Sequence, residues 1–430
     1  MIKQIFDKIK SNNLLKQSIV TLLLRVLGVA TLFGFTWFLT NNFEEKVIGE
    51  YETIRTFLLV MGSIALLGTE QSIFYYAGKY QALGKTEALE NIYFKMLQLI
   101  LMSSVVIGII YFFLPKSLIL ELYGENKETL HNITISVLVL FFYVLTLFNT
   151  EMLRALGKIN ISELYRNFFK FFPVIFGSVY LLFKGNPMNL VKFYIYGFIV
   201  LSIITTVLVI VSFKKNSKPI ESIEEAKKDI FNRSYPMSIS SVCLFLMLSV
   251  DIVLLRKYYS PEIVAYYAIA VKLLTVLSMI IVVVNINVAP KLAEFYASED
   301  FVSLKETISK SKLMIGGLNV FIGVFLIVFG KFILKMFGIN YVNAYEPMVI
   351  LLFGQMIVSL FGSTSMLMNM ANKQQVFKNI LILAVVFNIV LNLILIPKFG
   401  MIGAAISFVI SLWIWNFTSV YYVKTKLLYH

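Results

Sequence analysis

One charged residue, Arg25, lies deep inside the first long apolar stretch of the chain, Leu14–Thr40, which has Lys16 at its entrance. Arg25 lies about eleven residues inside it, or roughly 16 Å from its start at about 1.5 Å per helical residue. That depth is close to the middle of a hydrocarbon layer about 30 Å thick. Because arginine keeps its charge there, its guanidinium must face protein, water or an anion. Arg25 is therefore either an ion-paired packing residue or a cationic group facing a polar cavity.

Further cations fall inside apolar stretches of the first half of the chain, among them Lys95, Arg166 and Lys170. Arg166 and Lys170 are four residues apart, a spacing that predicts a shared helix face. Glu163 lies one turn before Arg166 and is a candidate ion-pair partner for it. Lys95 is alternatively close enough to the membrane surface for its ammonium group to reach the lipid head groups. The first half thus carries more deep cations than acids, and we count no acidic residue in the middle of its apolar stretches.

The second half carries Asp251 and Lys272 within or beside apolar stretches. Lys272 lies about ten residues into its stretch, near the predicted midplane of the membrane. Asp251 has two candidate partners, Lys272 and the nearer Arg256. It is therefore either half of a structural ion pair or a group that couples transport to an ion.

The elements that must position these residues are strongly apolar. Of 430 residues, 59% are hydrophobic and 14% charged, and the mean hydropathy is +0.82. These values are typical of a polytopic membrane protein. The net charge of +14 lies mostly between the apolar stretches, which favours anionic lipid head groups over nucleic acid as neighbours. The single Cys243 excludes an internal disulfide and argues against a metal cluster.

Twelve apolar stretches predict an all-α fold of about 12 transmembrane helices. The first stretch lacks a small-residue cleavage site and is predicted to be a retained helix. The stretches are 14–40, 51–76, 88–113, 129–153, 161–183, 189–213, 234–255, 262–289, 307–329, 343–370, 376–396 and 401–423.

The placement of Lys and Arg predicts the orientation. About 22 of them lie at the two termini and in the loops on one side, against about 10 on the other. The positive-inside rule then places both termini in the cytoplasm. We predict a multi-pass protein of the inner (plasma) membrane.

A hydrophilic segment, 214–233, divides the chain at its middle, and its mixed charge predicts a solvated cytoplasmic linker without a site. Ile48–Tyr51 and Val264–Tyr267 are similar and lie half a chain apart, as do Leu153–Lys158 and Met368–Lys373. We therefore predict two six-helix lobes related by pseudo-two-fold symmetry, 1–213 and 234–430, with substrate sites between them.

Several segments of the chain resemble the polysaccharide-export flippases, the Wzx-type O-antigen and capsule transporters of the multidrug/oligosaccharidyl-lipid/polysaccharide (MOP) superfamily. The similar segments keep the family's order and spacing. Gln71–Ile73 falls where relatives vary widely, so we assign it no role. The segments are LLGTEQSIFYYAGKY (Leu66–Tyr80), LRALGKINISELYR (Leu153–Arg166), AYYAIAVKLL (Ala265–Leu274) and FNIVLNLILIPKFGMIGAAIS (Phe387–Ser407).

The resemblance implies a MATE-like pair of lobes that alternate in access. It also implies translocation of an undecaprenyl-diphosphate-linked oligosaccharide from the cytoplasmic to the outer leaflet, for O-antigen (lipopolysaccharide) or capsule. The partners it implies are this lipid-linked oligosaccharide, membrane lipids, and the glycosyltransferases and polymerase of the pathway. It implies no cofactor, with coupling to an ion or to the membrane potential left open.

A diphosphate crossing a low-dielectric layer needs cations and hydrogen-bond donors. Arginine suits phosphate because its planar guanidinium binds two oxygens at once. The expected substrate-binding residues are Arg25, Arg166, Lys170, Lys95 and Lys272, with Asp251 as a coupling residue or structural partner.

Three alternatives are weighed against this prediction. A cation-coupled multidrug antiporter of the same superfamily needs an acidic residue within a helix, and we identify none in the middle of the first-half stretches. The peptidoglycan-lipid flippase relative has fourteen spans rather than twelve. A membrane polysaccharide polymerase or ligase would carry a large external loop, which the sequence lacks. No ATP-binding P-loop and no nucleophile or zinc-protease motif occurs, so we expect a non-enzymatic transporter.

Overall fold

The computed structural model describes residues 13–83, 85, 88–124, 126–183, 185–214 and 225–428. Within these residues every regular element is a helix, which confirms the predicted all-α class. The helices before the central segment are α1 (Asn13–Asn42), α2 (Glu45–Ala65), α3 (Thr69–Ala82), α4 (Ala88–Phe113), α5 (Lys116–Leu122), α6 (Lys127–Ala155), α7 (Ile159–Asn167), α8 (Phe172–Phe183) and α9 (Leu190–Lys214).

Eight further helices follow from Lys227 onwards. They are α10 (Lys227–Met247), α11 (Val250–Tyr258), α12 (Pro261–Ala297), α13 (Phe301–Val328), α14 (Gly330–Met336), α15 (Tyr345–Ser359), α16 (Thr364–Met370) and α17 (Gln374–Lys426). Short 3₁₀ turns lie at Phe169–Phe171, Pro187–Asn189 and Ile339–Ala344.

Eight of the described helices are long and apolar enough to cross a membrane, and ten spans result if each of two bent pairs counts as one. The bent pairs are α2 with α3, at 44°, and α10 with α11, at 41°. They occupy the predicted stretches 51–76 and 234–255. In the first pair the bend lies at Leu67 and Gly68, whose φ angles are 51° and 76°. Glycine suits the second position because it adopts positive φ without a side-chain clash.

Helix α17 contains a break that separates the last two predicted stretches. Its 53 residues would extend about 80 Å if straight, far more than one membrane crossing. Gly400 has non-helical angles (φ 55°, ψ −129°), and Pro397 just before it cannot donate a backbone hydrogen bond. The Tyr259 hydroxyl donates to the carbonyl oxygen of Ile396 at 3.2 Å and satisfies one backbone acceptor near the break.

The predicted stretch 161–183 is not one continuous helix. Helix α7 ends at Asn167, Phe168 is non-helical (φ −122°, ψ −64°), and a 3₁₀ turn precedes α8. Pro173, the second residue of α8, cannot donate to the preceding turn, which favours a new helix start here. Our expectation that Arg166 and Lys170 share a helix face is therefore wrong.

The described chain forms two compact units. The first contains the described parts of 1–42, 61–114 and 131–238, and the second those of 43–60, 115–130 and 239–430. The second unit has a core of fully buried side chains from α12, α13, α16 and α17, namely Leu292, Leu304, Leu367, Leu381 and Val423. The lobes expected at 1–213 and 234–430 stay a prediction.

The predicted linker 214–233 is described only at its ends, and 215–224 lie outside the described residues. Its last part is helical, because α10 already begins at Lys227. Glu225 forms an ion pair with Lys79 of α3. This end of the segment is therefore anchored to the first unit, whereas Lys227 and Lys228 are exposed as a solvated linker predicts.

Candidate functional site

Arg25 and Glu163 join α1 to α7 inside the first unit. The Arg25 guanidinium donates to the Glu163 carboxylate at 3.2 Å. Glu163 is fully buried, and 14% of the Arg25 side chain is exposed. Asn167, one turn after Glu163, donates to the same carboxylate at 3.0 Å. Gly28, one turn after Arg25, lies so close to Asn167 that a Cβ at Gly28 would overlap it. Arg25 and Gly28 are three residues apart on α1, and Glu163 and Asn167 are four apart on α7, so each pair lies on one helix face and the two faces pack closely.

Two more arginines lie beside this pair. Arg154 at the end of α6 has a guanidinium nitrogen 3.9 Å from a Glu163 oxygen. Arg166 forms an ion pair with Glu151 of α6. The expected pair between Arg166 and Glu163 is therefore wrong. Arg25 and Arg154 surround Glu163, and α7 directs Arg166 towards Glu151 instead.

We call Arg25, Arg154, Arg166, Glu151 and Glu163 the arginine cluster. Its three guanidinium groups face two carboxylates, so the cluster carries a net positive charge. The Arg25 and Arg166 guanidinium groups are close enough to repel each other. The buried Nε of Arg25 donates to no described residue. With about a third of the Arg154 and Arg166 side chains exposed, the cluster can accept an anion from outside.

The structure places the two expected lysines of the first half in other surroundings. The Lys95 ammonium group donates to the backbone oxygen of Glu225 at 2.7 Å, so Lys95 anchors the start of α10. The Lys170 ammonium group lies 4.9 Å from the centre of the Phe171 ring. Arg25 and Arg166 are thus the two expected residues that the structure brings together.

Buried charges also connect helices of the second unit. Lys272 of α12 donates to Glu52 of α2 at 2.5 Å, and Arg55 binds the same carboxylate at 2.7 Å. Arg256 of α11 donates to Glu50 of α2 at 2.7 Å. We call these five residues the buried charge network.

This network corrects both predicted partners of Asp251. Lys272 binds Glu52 and Arg256 binds Glu50, so neither forms the expected ion pair. Asp251 instead accepts a hydrogen bond from the Tyr267 hydroxyl at 2.5 Å. Its other carboxylate oxygen is buried and accepts no hydrogen bond from a described residue.

Sequence reasoning missed Glu50 and Glu52 because the stretch was predicted to begin at residue 51, which leaves Glu50 outside it and Glu52 at its edge. Helix α2 begins at Glu45, so both carboxylates lie within it and are fully buried. A signal was available, since two acids next to an apolar run require cationic partners. The partners Arg256 and Lys272 are more than 200 residues away, and nothing local in the sequence indicates them.

An apolar groove of about 1030 Å³ lies between α8 and α9 in the first unit. Its wall is rich in aromatic and aliphatic residues, with Asn189 and Lys192 as polar residues among those lining it. Such a groove can hold a hydrocarbon chain. Aromatic lining residues include Phe172, Phe176, Tyr180, Phe193 and Tyr196. Among the described residues no group of three or more His, Cys, Asp or Glu could hold a metal ion.

Comparison with known proteins adds the following findings. A family model described as MatE matches residues 236–394. No curated protein matches the chain in sequence.

Solved structures match nearly the whole chain. The lipid II flippase MurJ in an inward closed conformation has a TM-score of 0.66 at 16% identity, over 92% of this chain and 87% of its own. An inward-facing multidrug resistance MATE family transporter of the MOP superfamily has a TM-score of 0.66 at 15% identity, over 95% and 98%.

A MOP superfamily transporter from Pyrococcus furiosus, described by the reverse polarity of its binding pocket, is also similar. Its TM-score is 0.63 at 15% identity, over 95% of this chain and 94% of that one. These identities establish the fold alone. The chain is a multi-pass helical membrane protein with the fold of MOP superfamily transporters, as predicted.

Proposed function

We propose that the chain is a flippase of the MOP superfamily that moves an undecaprenyl-diphosphate-linked oligosaccharide from the cytoplasmic to the outer leaflet. The product would serve O-antigen or capsule biosynthesis. The arginine cluster carries this proposal, because three guanidinium groups facing two carboxylates suit a diphosphate better than a cationic drug.

The relatives support a transported lipid. One of the two structures matching with a TM-score of 0.66 is named as a lipid II flippase. The fold of this chain is also shared with multidrug transporters, so the fold itself does not choose the substrate. The net positive charge of the arginine cluster supports an anionic lipid as the substrate.

The glutamates of the cluster explain how it remains stable without substrate. Glu163 neutralises Arg25 inside the unit, and Glu151 neutralises Arg166. A diphosphate that approaches the exposed sides of Arg154 and Arg166 competes with Glu151 for Arg166 and with Glu163 for Arg154. Arg25 keeps Glu163 through one guanidinium nitrogen and offers its other donors, among them the Nε without a described partner, to the diphosphate, so the exchange leaves no charge stranded in the interior. Binding and release can then alternate at modest cost.

The remaining expected residues keep supporting roles in this proposal. Lys170 and Lys95 add positive potential on the cytoplasmic side, and Lys272 compensates Glu52. The protein acts without an enzymatic step and without a cofactor. It resides in the inner membrane with both termini in the cytoplasm, where it receives substrate from glycosyltransferases and supplies a polymerase on the other side.

A cation-coupled multidrug antiporter is the second candidate. The MatE match at 236–394 and the unpartnered buried oxygen of Asp251 favour it, because a buried carboxyl group can take up a proton. Two other buried acids, Glu50 and Glu52, are already compensated by cations and are poorly suited to bind a cationic drug.

The test is a strain in which the gene is deleted. Restored export of surface polysaccharide by the wild-type gene supports the flippase, provided that membrane abundance is measured alongside. Restored resistance to cationic drugs without any effect on polysaccharide would support the antiporter and overturn the proposal.

A further inference from the structure

One face of α3 is left uncovered by the packing of the first unit. Gln71, Phe74, Tyr75 and Gly78 are exposed and follow the spacing of a single helix face. Phe74 and Tyr75 are 38% and 40% exposed, and a Cβ on Gly78 would meet no atom within 4 Å. We call these four residues the aromatic stripe.

Two guanidinium groups lie over the rings of the stripe. The Arg233 guanidinium, from α10, is 3.7 Å from the centre of the Tyr75 ring. The Arg154 guanidinium is 6.0 Å from the centre of the Phe74 ring. Because guanidinium groups are costly to place in hydrocarbon, this face borders polar space rather than lipid tails.

Arg154 connects the stripe to the arginine cluster. Its guanidinium lies over Phe74 and is also 3.9 Å from Glu163, the carboxylate that holds Arg25. In a lipid-linked oligosaccharide the first sugar is bonded directly to the diphosphate. A sugar site must therefore adjoin the phosphate site, and the stripe has this position.

We propose that the aromatic stripe binds the sugar rings of the substrate while the arginine cluster holds the diphosphate. This inference rests on the proposed function and deepens it. A pyranose ring has an apolar C–H face and a rim of hydroxyl groups. Phe74 and Tyr75 offer flat apolar surfaces for the former. Gln71, Arg154 and Arg233 offer hydrogen-bond donors for the latter.

A different role for such residues is anchoring at the membrane surface, where tyrosine and arginine are common. Anchoring residues are insensitive to what the substrate carries. Sugar binding requires that the two rings distinguish a lipid with sugars from one without, and the experiment uses that difference.

The experiment measures binding of two probes to the purified full-length protein. One probe is polyprenyl diphosphate without sugar, and the other is the same lipid bearing four N-acetylglucosamine residues. Wild-type protein should bind the sugar-bearing probe about tenfold more tightly, a difference of about 1.4 kcal/mol in binding free energy. The double variant Phe74→Leu, Tyr75→Leu should bind both probes with the affinity that wild type has for the sugar-free one.

Tyr258→Leu is the matched control, because Tyr258 is similarly exposed, at 41%, but lies on α11 of the second unit. It should keep the wild-type preference. Equal binding of both probes by wild type, an unchanged preference in the double variant, or equal weakening of both probes would overturn the inference. Failure of wild type to bind either probe would overturn the proposed function instead.

Discussion

Arg25 and Arg154 approach the same carboxylate, that of Glu163, at 3.2 Å and 3.9 Å. A buried carboxylate with two cationic neighbours does not lose all compensation when one of them is removed. The pairing of Arg25 is therefore compatible with a binding role.

Arg25→Ala should abolish polysaccharide export while membrane abundance stays near normal. Arg154 remains beside Glu163, so the change removes a phosphate ligand without stranding the acid. Arg25→Lys should restore export only in part, since lysine lacks the two-pronged guanidinium. Export is measured in the deletion strain, with quantified membrane protein. Arg166→Ala and Lys170→Ala should be milder.

Lys310→Ala is the control for the loss of one positive charge. Lys310 forms an exposed ion pair with Glu306 at 2.6 Å on α13. Exposed pairs of this kind contribute about 0–1 kcal/mol, so export and abundance should not change. If Arg25→Ala also exported normally, the arginine cluster would not be the phosphate site.

Gly28→Ala should lower abundance and thermal stability. An added methyl group at Gly28 overlaps Asn167, which orients Glu163 through a 3.0 Å hydrogen bond. Overpacking of this kind costs about 1–3 kcal/mol. The measurement is the melting temperature in detergent. Gly78→Ala is the control, because a Cβ there meets open space. Equal melting temperatures of the two variants would show that α1 and α7 accommodate the added methyl group without loss of stability.

Glu50→Gln should destabilise the protein strongly. The substitution leaves the buried guanidinium of Arg256 without its counter-charge, and breaking such a pair costs about 3–5 kcal/mol. The comparison is Glu121→Gln, which removes an exposed carboxylate bound to Lys257 at 2.8 Å.

The exposed pair of Glu121 with Lys257 depends on pH. The Lys257 ammonium group lowers the pKa of Glu121, so its pair is intact at neutral pH and is lost as the pH falls through the lowered pKa. Because an exposed pair contributes only about 0–1 kcal/mol even when intact, Glu121→Gln should change the melting temperature little at neutral pH. A large loss there, with none for Glu50→Gln, would contradict the assignment of the buried charge network.

Both termini should lie in the cytoplasm. The basis is the ratio of about 22 to about 10 basic residues on the two sides. A reporter that is active only in the cytoplasm should therefore be active when it is fused after His430. Activity of a periplasmic reporter at the same position would reverse the topology.

The sequence predicted the helical class because apolar runs of membrane length leave few alternatives to a helix. It also identified Arg25, since one arginine in the middle of an apolar run is conspicuous. It failed at Phe168, where a helix break separates Arg166 from Lys170. The break depends on Pro173, a signal that was present but was outweighed by the continuous apolar pattern.

The ion-pair partners in the buried charge network could not be predicted from the sequence for a different reason. Each pair of the buried charge network between α2 and a second-half helix joins residues more than 200 positions apart, and several acids and cations competed for each place. Proximity in sequence made Arg256 a plausible partner for Asp251, yet Glu50 holds it. The aromatic stripe was missed because its sequence does not differ from that of ordinary lipid-facing aromatic residues. What distinguishes it is the position of the Arg154 and Arg233 guanidinium groups over its rings, which only the structure gives.

The most direct measurement places the purified protein in liposomes that contain a polyprenyl-diphosphate-linked tetrasaccharide of N-acetylglucosamine. Movement between leaflets is followed by access of an added sugar-binding lectin. The account predicts that wild type accelerates this movement and that Arg25→Ala, at equal incorporation, does not. Movement no faster than in protein-free liposomes, together with uptake of a cationic drug against an ion gradient, would contradict it.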